Sequence, residues 1–258
     1  MKKKIIALLQ ARTDSTRLPN KVLKKILNKP MIIHQLQRTI KSKYIDELIV
    51  VTSNETNDDE LSKVVENFGF NVYRGNKNNV LKRFYDALVL LDLNNNDIIV
   101  RLTGDCPVHD AGIIDETIVD FLEKDCDYLS NCENPVYPDG LDVEVFNYFS
   151  LKKAYDNATL LSELEHVTPY ICDTKNGFKI CEVVKRPIYN EWRLTVDEDA
   201  DFQLITKIYE YFMTTYFSFD EMVKYLEKNR NLIEINSKIK RNEGYEKSLY
   251  DEKEIINE

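Results

Sequence analysis

The sequence predicts an α/β fold with a mainly parallel sheet and helices on both of its faces. Three observations carry this reading. Short continuous apolar runs recur along the chain, the mark of strands buried on both sides. Between them lie segments whose apolar residues fall at helical spacing. The two kinds alternate, as parallel strands joined by crossover helices require.

Ile5–Leu9 is the first apolar run, and a polar loop follows it to about Asn20. Pro30 reads as a first-turn helix residue, with Ile33, Leu36 and Ile40 at helical spacing behind it. Leu48–Val51 is a second buried strand. Asp58 or Asp59 is placed to cap a helix carrying Leu61, Val64, Val65 and Phe68 on one face, and Gly69 sits where a left-handed residue ends such a helix. Val72–Tyr73 reads as a short strand. A helix through Val80, Leu81, Phe84, Leu88 and Leu91 leads to the strand Ile98–Thr103. A helix around Ile114–Phe121 and a strand at Tyr128–Ser130 continue the alternation.

Leu141–Phe146 differs. Leu141, Val143 and Val145 alternate with Asp142, Glu144 and Phe146, which predicts a protruding, half-exposed strand with two carboxylates on one face. Helices are predicted over Ser150–Ala158 and Ser162–Cys172, strands over Lys179–Val184 and Arg193–Val196, and helices over Asp199–Phe212 and Phe219–Lys228.

With 258 residues the chain suits one large α/β domain, read here over 1–235. The charge-rich tail over 236–258 has little apolar periodicity and reads as a loose arm or a partner-dependent helix. At 43% hydrophobic the chain can bury a sizeable core, and at 31% charged it should be soluble. A formal net charge of −9 argues against sequence-independent nucleic-acid binding, which runs on phosphate neutralisation by Lys and Arg. The cysteines form no CxxC pair and there are only three histidines, so a structural zinc site is not expected. A reducing compartment, the cytoplasm, fits this cysteine usage. The start MKKKIIALLQAR is basic like a signal peptide, but its apolar run stops at Gln10 and Arg12, too short for an h-region. No stretch is long enough to span a membrane.

Three segments have the chemistry of a phosphate and metal site. The loop Gln10-Ala11-Arg12-Thr13-Asp14-Ser15-Thr16-Arg17-Leu18-Pro19-Asn20-Lys21 follows the first buried strand. In open α/β sheets ligands bind there, beyond the carboxyl ends of the strands. It gathers Arg12, Arg17 and Lys21, opposed only by Asp14, and reads as a triphosphate cradle or as a solvated basic loop. It has no glycine and is not a P-loop. Arg101-Leu102-Thr103-Gly104-Asp105 closes another buried strand and delivers Asp105 to the same edge. A carboxylate there suits Mg²⁺, which is held by one or two carboxylates plus substrate phosphates and water; a capping role is the alternative. Trp192–Asp197 again ends in a carboxylate, so Asp105 and Asp197 are candidates to share one metal, while Asp199 and Asp201 read as acids of a helix N-terminus.

A second substrate has its own candidates. Asp139, Asp142 and Glu144 supply carboxylates and His166 an imidazole, groups that recognise sugar hydroxyls. Arg74 either meets a nucleobase or turns back into the fold. Cys106 lies beside Asp105 without a matched base, and the cysteines read as structural.

Six segments in order, QARTDSTRLPNKVL, VYRGNKNNVLKRFYDA, IVRLTGDCPVHD, YPDGLDVEVF, SELEHVTPYI and RLTVDEDAD, resemble the SpsF-like branch of the cytidylyltransferases, relatives of CMP-Kdo and CMP-acylneuraminate synthetases. The resemblance runs from Ile5 to about Phe212. It implies a Rossmann-like (GT-A-like) nucleotidyltransferase fold, often dimeric in the family, which makes a homodimer one option for this chain. It implies CTP, or another NTP, bound through Gln10, Ala11, Arg12, Ser15, Arg17 and Lys21, with Arg74, Thr103 and Gly104 nearby. It implies Mg²⁺ on Asp105 and Asp197, catalytic roles for Arg12, Arg17, Lys21 and Asp105, and a small sugar-like acceptor near Asp139, Asp142, Glu144, His166 and Arg193. Asn20 stands where the family usually has glycine, and Asn also tolerates the left-handed conformation. The sialic-acid and Kdo synthetases' own sugar-binding motifs are not evident. The expected chemistry is in-line attack on the α-phosphate with pyrophosphate leaving. A nucleotide-sugar-dependent glycosyltransferase and a catalytically silent nucleotide-binding partner are the competing readings.

Overall fold

A computed structural model of the chain describes residues 2–185 and 188–241. The elements alternate as the apolar periodicity predicts. The strand β1 (Ile5–Gln10) leads through the loop and a 3₁₀ turn, Lys21–Leu23, into a two-rung hairpin of β2 (Lys25–Ile26) and β3 (Lys29–Pro30). Then follow α1 (Met31–Thr39), β4 (Glu47–Ser53), α2 (Asp59–Asn67), β5 (Asn71–Gly75), α3 (Val80–Leu88), β6 (Ile98–Thr103), α4 (Ala111–Glu123), β7 (Tyr128–Ser130) and β8 (Glu144–Asn147). Four helices, α5 (Tyr148–Asn157), α6 (Leu161–His166), α7 (Pro169–Cys172) and α8 (Asp199–Phe212), surround the last strand, β9 (Ile180–Glu182), and α9 (Phe219–Lys228) follows.

The main sheet has the order β5-β4-β1-β6-β8-β7-β9. All neighbours are parallel except β8, which runs antiparallel to both β6 and β7. Strand β1 shows why its apolar run is continuous. Ile5, Ala7 and Leu9 pack with α1, α2, α4, α8 and α9 on one face, while Ile6 and Leu8 pack with α3, α5 and the α6–α7 segment on the other. The chain moves outward from β1 through β4 to β5, then returns to place β6 on the opposite side of β1. The crevice beyond the carboxyl ends of β1 and β6 is therefore the topological switch point, where ligands of open α/β sheets bind. Gln10 pairs with Thr103 at that edge, and Gly104 N–H donates to Gln10 O at 2.7 Å. A Cβ on Gly104 would come within 2.8 Å of the Ala11 Cβ, so the two loops approach this closely only because residue 104 is glycine.

Four expectations are corrected. Leu141–Phe146 is not a protruding strand. Its strand is Glu144–Asn147, interior to the sheet, and Asp142 lies in the loop before it. The alternation misleads because Phe146 occupies an outward place and is fully buried under Leu151 and Ile171. Arg193–Val196 is extended but makes only a single bridge, Asp139 with Arg193. Its neighbouring bonds run to loops instead: Leu194 N–H to Asp139 O at 2.7 Å and Val196 N–H to Asp105 O at 2.8 Å. The helix expected over Ser162–Cys172 breaks at Val167, whose φ of 72° and ψ of −52° close a γ-turn with Thr168 N–H on His166 O at 2.8 Å. Pro169, lacking an N–H, cannot continue the helical ladder across that point. Lys179–Val184 shortens to the three residues of β9.

Part of the predicted tail lies on the body of the molecule. Asn236 is buried and donates from Nδ2 to Arg193 O at 2.9 Å and to Asp201 Oδ1 at 2.8 Å. Residues 242–258 lie outside those described. Among the described residues no helix is long and apolar enough to cross a membrane.

Candidate active site

The loop after β1 is staked at both ends. Thr13 N–H and Oγ1–H each donate to Asp58 Oδ1 at 2.8 Å, and Asp58 Oδ2 accepts from Ser53. Asp58 thus anchors the loop rather than capping α2 through its side chain. Asn20 adopts the left-handed conformation, φ 57°, which turns its N–H onto Thr13 O at 2.8 Å. Leu18 and Val22 are buried in the core and fix the rest. The loop is therefore a packed ring that presents Arg12, Ser15, Arg17 and Lys21 inward.

Two cavities adjoin there. The first, about 600 Å³, is lined by Gln10, Ala11, Arg12, Ser15, Arg17, Lys21, Thr103, Gly104 and Asp105. The second, about 420 Å³, is lined by Asp139, Asp142, Glu144, His166, Arg193 and Asp197 among others. Arg17, Thr103, Asp105 and His166 line both, so they mark the junction.

Carboxylates from two segments meet cations from the loop after β1 at that junction. Lys21 Nζ lies 3.0 Å from Asp105 Oδ2 and 2.9 Å from Asp197 Oδ1, and Arg17 Nη2 is 3.0 Å from the same Asp197 oxygen. Burial works against the Lys21 charge, but Asp105 and Asp197 outweigh it and hold its pKa above the ordinary value. Burial would raise the Asp105 pKa, yet Lys21, with Thr103 and Cys106, holds it far below the ordinary carboxyl value. Both groups are charged across the physiological range.

Behind this pair, Arg193 spreads over three carboxylates. It reaches Asp139 at 2.7 Å, Asp197 Oδ2 at 2.7 Å and Asp201 at 3.0 Å. Asp201 also accepts the N–H groups of Asp197 and Glu198, at 2.9 and 3.0 Å, so it fixes the turn that presents Asp197. Arg193, expected both as an acceptor contact and, with Arg101, as a support of the site, lines the second cavity and orients Asp197. Glu144 is similarly occupied: Arg101 pairs with it, and Tyr128 OH and Thr168 Oγ1 both donate to Oε1 at 2.7 Å. Asp142 pairs with Arg241, and Lys240 lines the second cavity.

One predicted contact falls outside. Arg74 turns back into the fold, pairing with Asp59 at 2.7 Å and donating to Ser53 O and Glu55 O. Arg83 takes a place in the first cavity instead. It is 1% exposed, its Nη1 donates to Asn76 O at 2.9 Å, and burial, with Arg12 adding to it, pushes its pKa down to about 10. The signal for it was present: a charge on the apolar stripe Val80, Phe84, Ala87 of α3.

Comparison with known proteins gives the family. The sequence model of the family described as Cytidylyltransferase matches residues 6–247. The chain is 30% identical over 213 residues to the spore coat polysaccharide biosynthesis protein SpsF of Bacillus subtilis, covering 80% of this chain and 86% of that one. A cytidylyltransferase from Leptospira borgpetersenii superposes with a TM-score of 0.84 at 32% identity, over 90% of this chain and 97% of the other. The fold, at 16% identity and a TM-score of 0.60, is also that of a CMP:2-keto-3-deoxy-manno-octonic acid synthetase complexed with CTP, over 81% of this chain and 99% of that one. The chain belongs to the SpsF-like branch of the cytidylyltransferase family and is a nucleotidyltransferase.

Proposed function

We propose that the protein transfers CMP from CTP to a sugar-acid acceptor, with Mg²⁺ as cofactor and pyrophosphate as the leaving group. The observation that carries this reading is the pair of adjoining cavities that meet at Asp105. One is lined by Arg12, Arg17, Lys21 and Arg83, suited to a triphosphate, and the other by polar side chains suited to a sugar. A single-substrate hydrolase would not need the second cavity.

The donor set fits the metal. Asp105 Oδ2 and Asp197 Oδ1 already converge on one cationic atom, both are hard oxygen donors, and triphosphate oxygens would complete the shell. When bound there, Mg²⁺ neutralises charge on the α- and β-phosphates. The chain's own groups do the rest. Arg12, Arg17 and Lys21 hold the triphosphate and absorb charge as the bond from the α-phosphorus to the bridging oxygen breaks. Arg193 and Asp201 keep Asp197 in register. Burial, opposed by Glu165 and reinforced by Arg101, lowers the His166 pKa, so its imidazole is uncharged at neutral pH and can accept a hydrogen bond from the attacking hydroxyl.

The test is pyrophosphate release from each of the four NTPs with Mg²⁺ and a panel of sugar acids. CTP with a sugar acid should give pyrophosphate and a CMP-linked product in equal amounts. Release of a nucleoside diphosphate from a nucleotide sugar, without pyrophosphate, would instead establish a glycosyltransferase.

A further inference from the structure

Lys21 occupies the position a metal would need. Its ammonium contacts Asp105 Oδ2 at 3.0 Å and Asp197 Oδ1 at 2.9 Å, and the residue is 8% exposed. A Mg²⁺ bound by the same oxygens would sit about 2.0–2.1 Å from each. Two cations cannot share that point. The carboxylates must draw together by roughly an ångström each and the ammonium must leave. Lys21 leaving without a new partner would strand a buried charge, which is costly. The first cavity offers that partner: Lys21 lines it beside Arg12 and Arg17, where a triphosphate would lie.

We propose that Lys21 is a lock on the metal site: it excludes the divalent cation until a triphosphate draws the ammonium off Asp105 and Asp197. This rests on the reading of those two aspartates as metal ligands. The charges support it. Lys21, Arg17 and Arg193 face Asp105, Asp139, Asp197 and Asp201, so the cluster is already close to neutral without a metal. The device orders the ligands. Nucleotide enters first or with its metal, and metal alone finds the carboxylates taken. By linkage, the lock appears as strong coupling between the two, on the scale of the roughly 5–150-fold seen in coupled sites.

The test uses Mn²⁺ as the probe, read by its electron paramagnetic resonance signal, on the full chain. Wild type should bind Mn²⁺ at this site with CTP present and at least about tenfold more weakly without it. Lys21→Met keeps the side-chain length and removes the charge. It should bind Mn²⁺ without nucleotide at least about tenfold more tightly than wild type does, and adding Asp105→Asn should abolish that gain. Circular dichroism and the melting temperature confirm that each variant is folded. If Lys21→Met does not fold, Lys21→Gln takes its place, because the nucleotide-free comparison with wild type is the one that isolates the lock from chelation by CTP itself. Tight Mn²⁺ binding by nucleotide-free wild type overturns the lock while leaving the metal ligands in place. No binding in any variant, with or without CTP, overturns the metal assignment itself, and the lock with it.

Discussion

Lys21 touches two carboxylates and faces the nucleotide cavity, so its loss should be felt in turnover more than in the fold. Lys21→Ala should lower kcat/KM for CTP by about a hundredfold, or roughly 2.7 kcal/mol of transition-state stabilisation. Unchanged steady-state kinetics at saturating Mg²⁺ would contradict that role. Asp142 gives a prediction of opposite kind. Burial pushes its carboxyl up to about 7, against the pull of Arg241 and with help from Asp139 and Glu144. A carboxyl raised in the folded state contributes stability that is full below its ordinary value and drains away as pH rises toward 7. The melting temperature of wild type should therefore fall relative to Asp142→Asn between about pH 4 and 7, and parallel profiles would count against the shift. At this scale the site was largely legible. Arg12, Arg17, Lys21 and Asp105 line the cavity beyond the ends of β1 and β6, and Asp197 joins them from an extended segment that is not a sheet strand. Arg74 and Arg83 were exchanged because a sequence shows that an arginine is near a strand end but not which way its long side chain folds.

At the scale of elements, the loops hold the site more than the strands do. Gly140 has φ 100°, and a Cβ there would meet Thr195 N at 2.4 Å. Gly140→Ala should cost at least about 2 kcal/mol of stability and shift the Arg193–Asp197 segment, lowering activity beyond the loss of folded protein. A thermal melt together with kcat on the folded fraction checks both. Asn236 ties the end of the described chain to Arg193 and Asp201. Asn236→Ala should cost about 1–3 kcal/mol, because it leaves a buried carbonyl and carboxylate short of a donor; a loose arm would show no change in urea unfolding. Periodicity located the doubly buried strands and most helices, since one face or two must be apolar whatever the tertiary partner, but it ran α6 and α7 together across the break at Val167. It failed at β8 and at Arg193–Val196. There the backbone partners come from distant loops, and a four-residue apolar alternation does not reveal whether its outer face will be covered.

Over the whole molecule, the order β5-β4-β1-β6 turns two unrelated strand ends into neighbours. The loop after β1 brings the cations and the loop after β6 brings Asp105, and the chain's overall acidity makes that cationic cavity a local exception. The extended segment at Arg193–Asp197 closes the site through its bonds to the loops at Asp105 and Asp139. The mainly parallel architecture could be read from strand-helix alternation. The placement of β8 between β6 and β7 could not, because sequence order gives no cue to spatial order once a strand reverses. The most direct measurement is Mg²⁺-dependent pyrophosphate release from CTP by Asp105→Asn, taken beside its melting temperature. That exchange changes charge with little change of shape. If the strand-end carboxylates carry the transfer, the variant melts within a few degrees of wild type and loses at least about 99% of its activity, a cost of roughly 2.7 kcal/mol or more. A folded Asp105→Asn enzyme that releases pyrophosphate at the wild-type rate would contradict it.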